Sequence, residues 1–237
     1  MSLAGCALAQ AQHERAASAG AWLYMKILEF IHILIPILLL SPAGCKQPLS
    51  ENDQYLINEI ASHRREVDST FRFDPNSPFN QDTTIHFEGI KWFPPDVRYY
   101  FKSKLYRYDP PETVIVLGTK GEERKQLKYG YFLLKFDGKD HKLNAYKFTA
   151  SEGERYEMYR NLLSVWFTDE TTGKETYQVG RYVEVGDENP FRNFEYTINL
   201  NNAYNPYCAY SANYSCAIPR REDHLDFAVM AGELKYH

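Results

Sequence analysis

The stretch from Asp169 to Tyr182 gathers side chains that could do chemistry together: Asp169, Glu175 and Arg181, with Tyr177 between them. Carboxylates beside a guanidinium can move protons or grip an anion, because the cation presents paired donors and favours the ionised acid. The plainer alternative is a turn. In it Asp169 bonds its own backbone, Gly173 takes a positive φ, and an Arg–Glu pair sits on the next strand. A second stretch, Asn202 to Cys216, is a long loop without periodicity, dense in Tyr and Asn. Such loops face a ligand or are held by cross-links. Tyr204 and Asn205 could stack on and hydrogen-bond a neutral polar molecule such as a glycan. Cys208 and Cys216 point to a cross-link, which in an oxidising compartment adds about 2.5 kcal/mol in the chain-entropy picture. Simple burial serves equally well, and a reactive Cys208 thiol or two metal ligands are the rivals.

Stronger catalytic signatures are missing. The chain has no Gly-rich phosphate loop, no His-Glu-x-x-His and no Gly-x-Ser-x-Gly. The seven His are scattered, so neither a metal nor a cofactor is expected. The net charge of -4 carries no basic stripe, which argues against nucleic acid. An enzyme, hydrolase-like, would take acid/base groups from Asp169, Glu175 or Glu233, an anion anchor from Arg181 and a nucleophile from Cys208. It requires all of them in one concave pocket. The other reading is a binding or accessory module with a polar, Tyr-rich site.

The elements that must position these residues are mostly strands. Aromatic residues make up 15% of the 237-residue chain, led by 19 Tyr, and Tyr suits half-buried strand positions. A helix is expected over Glu51–Phe71, capped by Ser50 with Asp53 in its first turn. Leu56, Ile60, His63, Val67 and Phe71 recur on one face. From Val97 the period becomes two, predicting a strand to Leu105 that Asp109-Pro110-Pro111 interrupts, and a short strand Thr113–Leu117. Leu127–Phe136 and Lys142–Phe148 read as a hairpin around Asp137-Gly138. Leu162–Phe167, Tyr177–Val185, Phe194–Leu200 and Leu225–Met230 follow as strands. The expected fold is mainly β, an antiparallel sandwich or partly open barrel with one N-terminal helix.

The N-terminus reads as targeting. Met25-Lys26 precedes an apolar run from Ile27 to Leu40 and then Ser41-Pro-Ala-Gly-Cys45, the layout of an export signal. Residues 1–24 look like an extension of the gene model, 25–45 like a lipoprotein-type signal, and 46–237 like a single β-rich domain. The Cys after Ala-Gly resembles a bacterial lipoprotein site, whose Cys45 would carry the lipid, palmitate for example. That places the chain in a bacterial cell envelope, lipid-anchored to the membrane. Ala21–Leu40 as an uncleaved anchor is the rival, with Lys26, Glu29 and His32 as its cost.

Four strings together resemble the family called domain of unknown function 1684. They are Phe93-Pro-Pro-Asp96; Thr172-Gly-Lys-Glu-Thr-Tyr177 with Gly180-Arg-Tyr182; Ala203-Tyr-Asn-Pro-Tyr-Cys-Ala-Tyr210 through Cys216; and Ala231-Gly-Glu233. The likeness runs from about Glu51 to Tyr236. Where the family has Pro-Leu-Pro-Pro and then Asn-Arg-Leu, this chain has Ala217-Ile-Pro-Arg220 and Asp223-His224-Leu225. The resemblance implies a shared fold and a shared site built from the Gly-Arg-Tyr and Tyr-Asn-Pro-Tyr-Cys segments. It implies no reaction and does not require a disulfide.

Overall fold

A computed structural model describes residues 49–82 and 84–237. The expected extension, the signal and Cys45 lie outside the described residues. Ser50 accepts from the Asp53 amide at 3.1 Å and starts α1 (Glu51–Phe73), as a capping hydroxyl should. Ile60 and Phe71 are buried, and Leu56, His63 and Val67 are half-buried on the same face. The helix runs two residues past the expected end and stops ahead of Pro75. One further turn, α2 (Pro78–Gln81), begins with Pro at its first position. Among the described residues no helix is long and apolar enough to cross a membrane.

The strands are β1 (Tyr100–Lys104), β2 (Tyr106–Leu117), β3 (Glu123–Phe136), β4 (Lys139–Phe148), β5 (Leu162–Asp169), β6 (Arg181–Asp187), β7 (Glu195–Asn199) and β8 (His224–Leu225). The main sheet has the order β2-β3-β4-β5-β6, with β8 added to β5, and β1 pairs β7 in a separate ribbon. All pairs are antiparallel except β5–β8. The fold is mainly antiparallel β with one long N-terminal helix, and the sheets do not close into a barrel. The β3–β4 turn is the expected Asp137-Gly138, with φ values of 48° and 77°, a pairing whose twist matches the flanking strands.

Several elements differ from the expectation, each for a local reason. Val97–Tyr99 is a 3-10 turn capped by Asp96, which accepts from the Arg98 amide at 2.9 Å. Pro110 and Pro111 do not end β2. They sit in a register shift between Arg107 and Glu112, where the missing amide donors interrupt no ladder bond. Tyr177–Gly180 is a turn closed by Gly180 N to Tyr177 O at 3.1 Å, so β6 begins only at Arg181. Beyond Leu225 the predicted strand is irregular, because the carbonyls of Ala228, Val229 and Ala231 accept from side chains instead of a ladder. A short helix, α3 (Glu154–Tyr159), was not expected.

Alternation along β5 divides the interior in two. Leu163, Val165 and Phe167 join Phe132, Leu134, Leu143, Val183, Ile198 and Leu225 in the main core. Trp166 faces the opposite way, joining Val114, Val116, Tyr146 and Ala217. Tyr146 and Trp166 stack at 4.6 Å between ring centres. The loop after Ala217 covers this second face through Asp223. Its carboxylate accepts from Tyr146 OH at 2.7 Å, Asn144 Nδ2 at 2.8 Å, Trp166 Nε1 at 3.2 Å and the Arg220 amide at 2.8 Å. Asp223→Ala should therefore strand buried donors and cost about 3 kcal/mol, against about 1 kcal/mol for Tyr146→Phe. Urea unfolding of the two variants checks this; equal midpoints for both would contradict it.

Candidate functional site

On β6 the period of two sends Arg181 and Tyr182 to opposite faces. Arg181 goes inward and is 0% exposed. Its Nη2 donates to Asp169 Oδ2 at 2.9 Å and to Val229 O at 2.9 Å, and its Nη1 donates to Ala231 O. Asp169, 3% exposed, spends its other oxygen on the Thr171 amide at 2.7 Å and the Thr171 hydroxyl at 2.6 Å. The guanidinium also lies over the Phe167 ring at 5.3 Å. This pair ties β5, β6 and the C-terminal segment together, with no surface left for a substrate. Gly180, just before it, has φ +112° and no room for a Cβ, which would stand 2.5 Å from Phe167 O. That close approach accounts for the Gly in Gly-Arg-Tyr.

Glu233 belongs to the same buried region and is 0% exposed. Its Oε2 accepts from the Asn205 amide at 2.8 Å and from the Tyr210 hydroxyl. Asn205 Nδ2 donates to Leu234 O at 2.8 Å. Gly232 precedes it with φ +81°, its hydrogen facing Ala203 O where a Cβ would stand at 2.6 Å. Glu233 Oε1 and Asn205 Oδ1 have no hydrogen-bond partner among the described residues. Burial raises the Glu233 carboxyl to about 7, against the pull of Tyr210, Asn205 and Arg181. The charge count explains why: Asp169 already takes the Arg181 cation, and Arg64 spends both terminal nitrogens on Phe93 O and Asn201 O at 2.8 and 3.2 Å. Protonation of Glu233 turns one of these two unpartnered acceptors into a donor.

Tyr182 faces the outer side of the sheet. Its amide and carbonyl exchange bonds with Tyr204 at 2.9 Å each, and its hydroxyl donates to Ala217 O at 2.6 Å. The Gly-Arg-Tyr strand and the Tyr-Asn-Pro-Tyr loop thus meet at the backbone. Tyr182, Tyr204, Trp166, Gln126, Arg124, Arg155 and Cys216 line a cleft of about 220 Å³ at this seam. Gln126 is 3% exposed, and its Oε1 has no partner among the described residues. Arg124 is occupied, donating to Glu122 and to Ser215 O at 2.8 Å. Arg155 is exposed at the rim, its guanidinium 5.2 Å from the Phe148 ring centre.

Cys208 and Cys216 are half-buried free thiols. The Cys208 amide donates to Cys216 Sγ at 3.2 Å, and Tyr177 OH donates to Cys208 O at 3.2 Å. Thiol and hydroxyl donors from Cys216, Thr119 and Tyr177 lower Cys208 to about 6 against the cost of burial. Its neighbour Cys216 is correspondingly pushed up.

The residues picked from sequence therefore fall into separate places. Asp169, Arg181, Asn205 and Glu233 form the buried frame. Tyr177 and Cys208 form the thiol site, Tyr204 lines the cleft, and the Glu175 side chain is exposed on its turn. A hydrolase needing Glu175, Arg181 and Cys208 in one pocket is not assembled. Gln126, Trp166, Arg155 and Thr119 were missed. Gln126 lies just ahead of the expected strand Leu127–Phe136, Arg155 lies in the unexpected α3, and Trp166 on β5 was read only as a strand residue. Among the described residues no three His, Cys, Asp or Glu side chains gather as metal ligands.

Glu233 also sets a pH dependence. An unfolded Glu ionises near 4.5, whereas the folded one keeps its proton to about 7. The folded state binds more protons in that window, so stability falls as pH rises from 4.5 to 7 and levels off above it, by about 3 kcal/mol in all. Glu233→Gln, which mimics the neutral acid, should lose this descent. Thermal unfolding of both proteins from pH 4.5 to 8 checks the point; parallel curves would refute it.

The family model for "Protein of unknown function (DUF1684)" matches residues 85–234. The solution NMR structure of an uncharacterised protein from Haloarcula marismortui is 30% identical. It covers 78% of this chain and 97% of its own, with a TM-score of 0.56. No curated protein matches. The matched span holds the Arg181 frame, the thiol pair and the whole cleft wall, and the chain belongs to the DUF1684 family.

Proposed function

We propose that the chain is a non-catalytic binding or accessory module of the bacterial cell envelope, with the Tyr182–Tyr204 cleft as its ligand seat. The observation that carries this reading is the Gln126 amide oxygen, buried without a donor among the described residues in a cleft walled by Trp166, Tyr182 and Tyr204. A buried acceptor without a partner costs about 1–3 kcal/mol, which a ligand O–H or N–H would recover once the Gln126 side chain turns its oxygen to the cleft. Aromatic walls suit a flat apolar ring face, and Arg155 adds a cation at the rim. At about 220 Å³ the cleft is below the roughly 300–1,000 Å³ of drug-sized sites, so it suits one ring of a small polar molecule. A sugar unit of a glycan or cell-wall fragment has that chemistry. The enzyme reading has less support, because Asp169, Glu233 and Arg181 are sealed in the frame and Glu175 lies exposed on its turn, apart from Cys208.

Screening the purified protein by thermal shift against a glycan and cell-wall-fragment library should find a saturable stabiliser. Gln126→Leu should weaken it about tenfold, the equivalent of about 1.4 kcal/mol, without lowering the unliganded melting temperature. No saturable ligand, or undiminished binding by Gln126→Leu, would end this reading.

The tether belongs to the same proposal. An acyl chain on Cys45 contributes about 0.8 kcal/mol per buried CH₂ toward holding the domain at a membrane. Growth with an alkyne-tagged palmitate analogue should label the wild-type chain and leave Cys45→Ser unlabelled. An unlabelled wild type would remove the anchor from the account.

A further inference from the structure

The outer face of the fold brings two cysteines together in a way the binding role does not use, although Cys216 also lines the cleft. Cys208 lies in the 3-10 turn Tyr207–Ala209, and Cys216 lies at the far end of the same loop. Each is held by its backbone from outside the loop. Tyr177 OH donates to Cys208 O at 3.2 Å. Thr119, in the β2–β3 turn, donates its amide to Cys216 O at 2.9 Å and accepts the Cys216 amide on its hydroxyl at 3.1 Å. These anchors come from separate parts of the chain, so the thiols face each other because the fold places them there. Cys216 Sγ stands 3.2 Å from the Cys208 amide nitrogen, and the two thiol side chains interact directly. Both residues are half-buried and so not sealed from solvent.

We propose that Cys208 and Cys216 form a thiol–disulfide exchange site that takes small-molecule disulfides, with Cys208 as attacking thiol and Cys216 as resolving thiol. The Cys208 thiolate, its proton given to solvent, attacks one sulfur of the small disulfide. An S–S bond forms to Cys208, the original S–S bond breaks, and one small thiolate leaves and takes up a proton. The Cys216 thiol, losing its proton, then attacks the Cys208 sulfur and expels the second small thiol. Two protein thiols are oxidised to one disulfide while one small disulfide is reduced to two thiols. The order of attack follows from the surroundings. Cys208 receives the Cys216, Thr119 and Tyr177 donors, which favour its thiolate, whereas Cys216 is held protonated beside it. A depressed thiol is the faster attacker near neutral pH.

The test uses the full chain equilibrated in oxidised and reduced glutathione at graded ratios, quenched in acid, alkylated and mapped by peptide mass spectrometry. The wild type should show one two-electron transition joining the Cys208 and Cys216 peptides. Cys216→Ser should stop at glutathione on Cys208, and Cys208→Ser should acquire little at Cys216. Independently of any variant, the wild-type alkylation rate at Cys208 should rise through pH of about 6 and exceed that at Cys216. Separate alkylation of both thiols at every ratio, or preferential capture of glutathione by Cys216, would overturn the assignment. These readouts are taken with no cleft ligand added, so the exchange site and the ligand seat succeed or fail separately.

Discussion

A guanidinium sealed from water must find its partners within the protein, and Arg181 is sealed at the centre of this fold. The desolvation of such a group costs several kcal/mol, and only a close carboxylate and well-placed carbonyls offset it. Asp169 supplies the charge, and Val229 and Ala231 supply the carbonyls. That demand explains why the C-terminal segment runs irregularly past β5 and β6 instead of extending β8. It also explains why Asp169 is held by Thr171, and why a Gly must precede the Arg to let β5 approach. Removing either member of the pair would strand the other as an uncompensated buried charge.

Glu233 is the second consequence. With the Arg181 cation spent on Asp169, a further buried carboxyl is more stable with its proton than without it. The frame is thus electrically closed by a neutral acid that links the Tyr-Asn-Pro-Tyr loop to the C-terminus through Asn205 and Tyr210. The Ala-Gly-Glu ending serves this architecture: the Gly admits the Ala203 backbone, and the Glu receives the loop.

The rigid inner frame leaves the outer side of β6 free for other work. Tyr182 carries the loop backbone there, Asp223 draws the following segment over Tyr146 and Trp166, and the β2–β3 turn clamps Cys216. Cleft and thiol pair are neighbours because the same loop builds both, yet their chemistry differs. One offers an aromatic wall and an unpartnered amide oxygen, the other a pair of sulfurs with donors around one of them.

Local pattern by itself determined the β class, the capped helix from Ser50, the Asp137-Gly138 hairpin and the face on which most strand residues lie, because a period of two or of 3.6 is a property of neighbouring residues. The family resemblance, not the periodicity, implied that the Gly-Arg-Tyr and Tyr-Asn-Pro-Tyr-Cys segments share a site, and they do meet at Tyr182 and Tyr204. What each residue does there was decided only by tertiary structure. Asp169, Arg181 and Glu233 read as reagents in one dimension, and burial turned them into a frame. Gln126 and Thr119 carried no signal at all, since an amide or a hydroxyl on a strand or turn gains meaning only from groups distant in sequence that fold against it. Charge, spacing and alternation are local; desolvation is not, and desolvation separates the frame of this protein from its site.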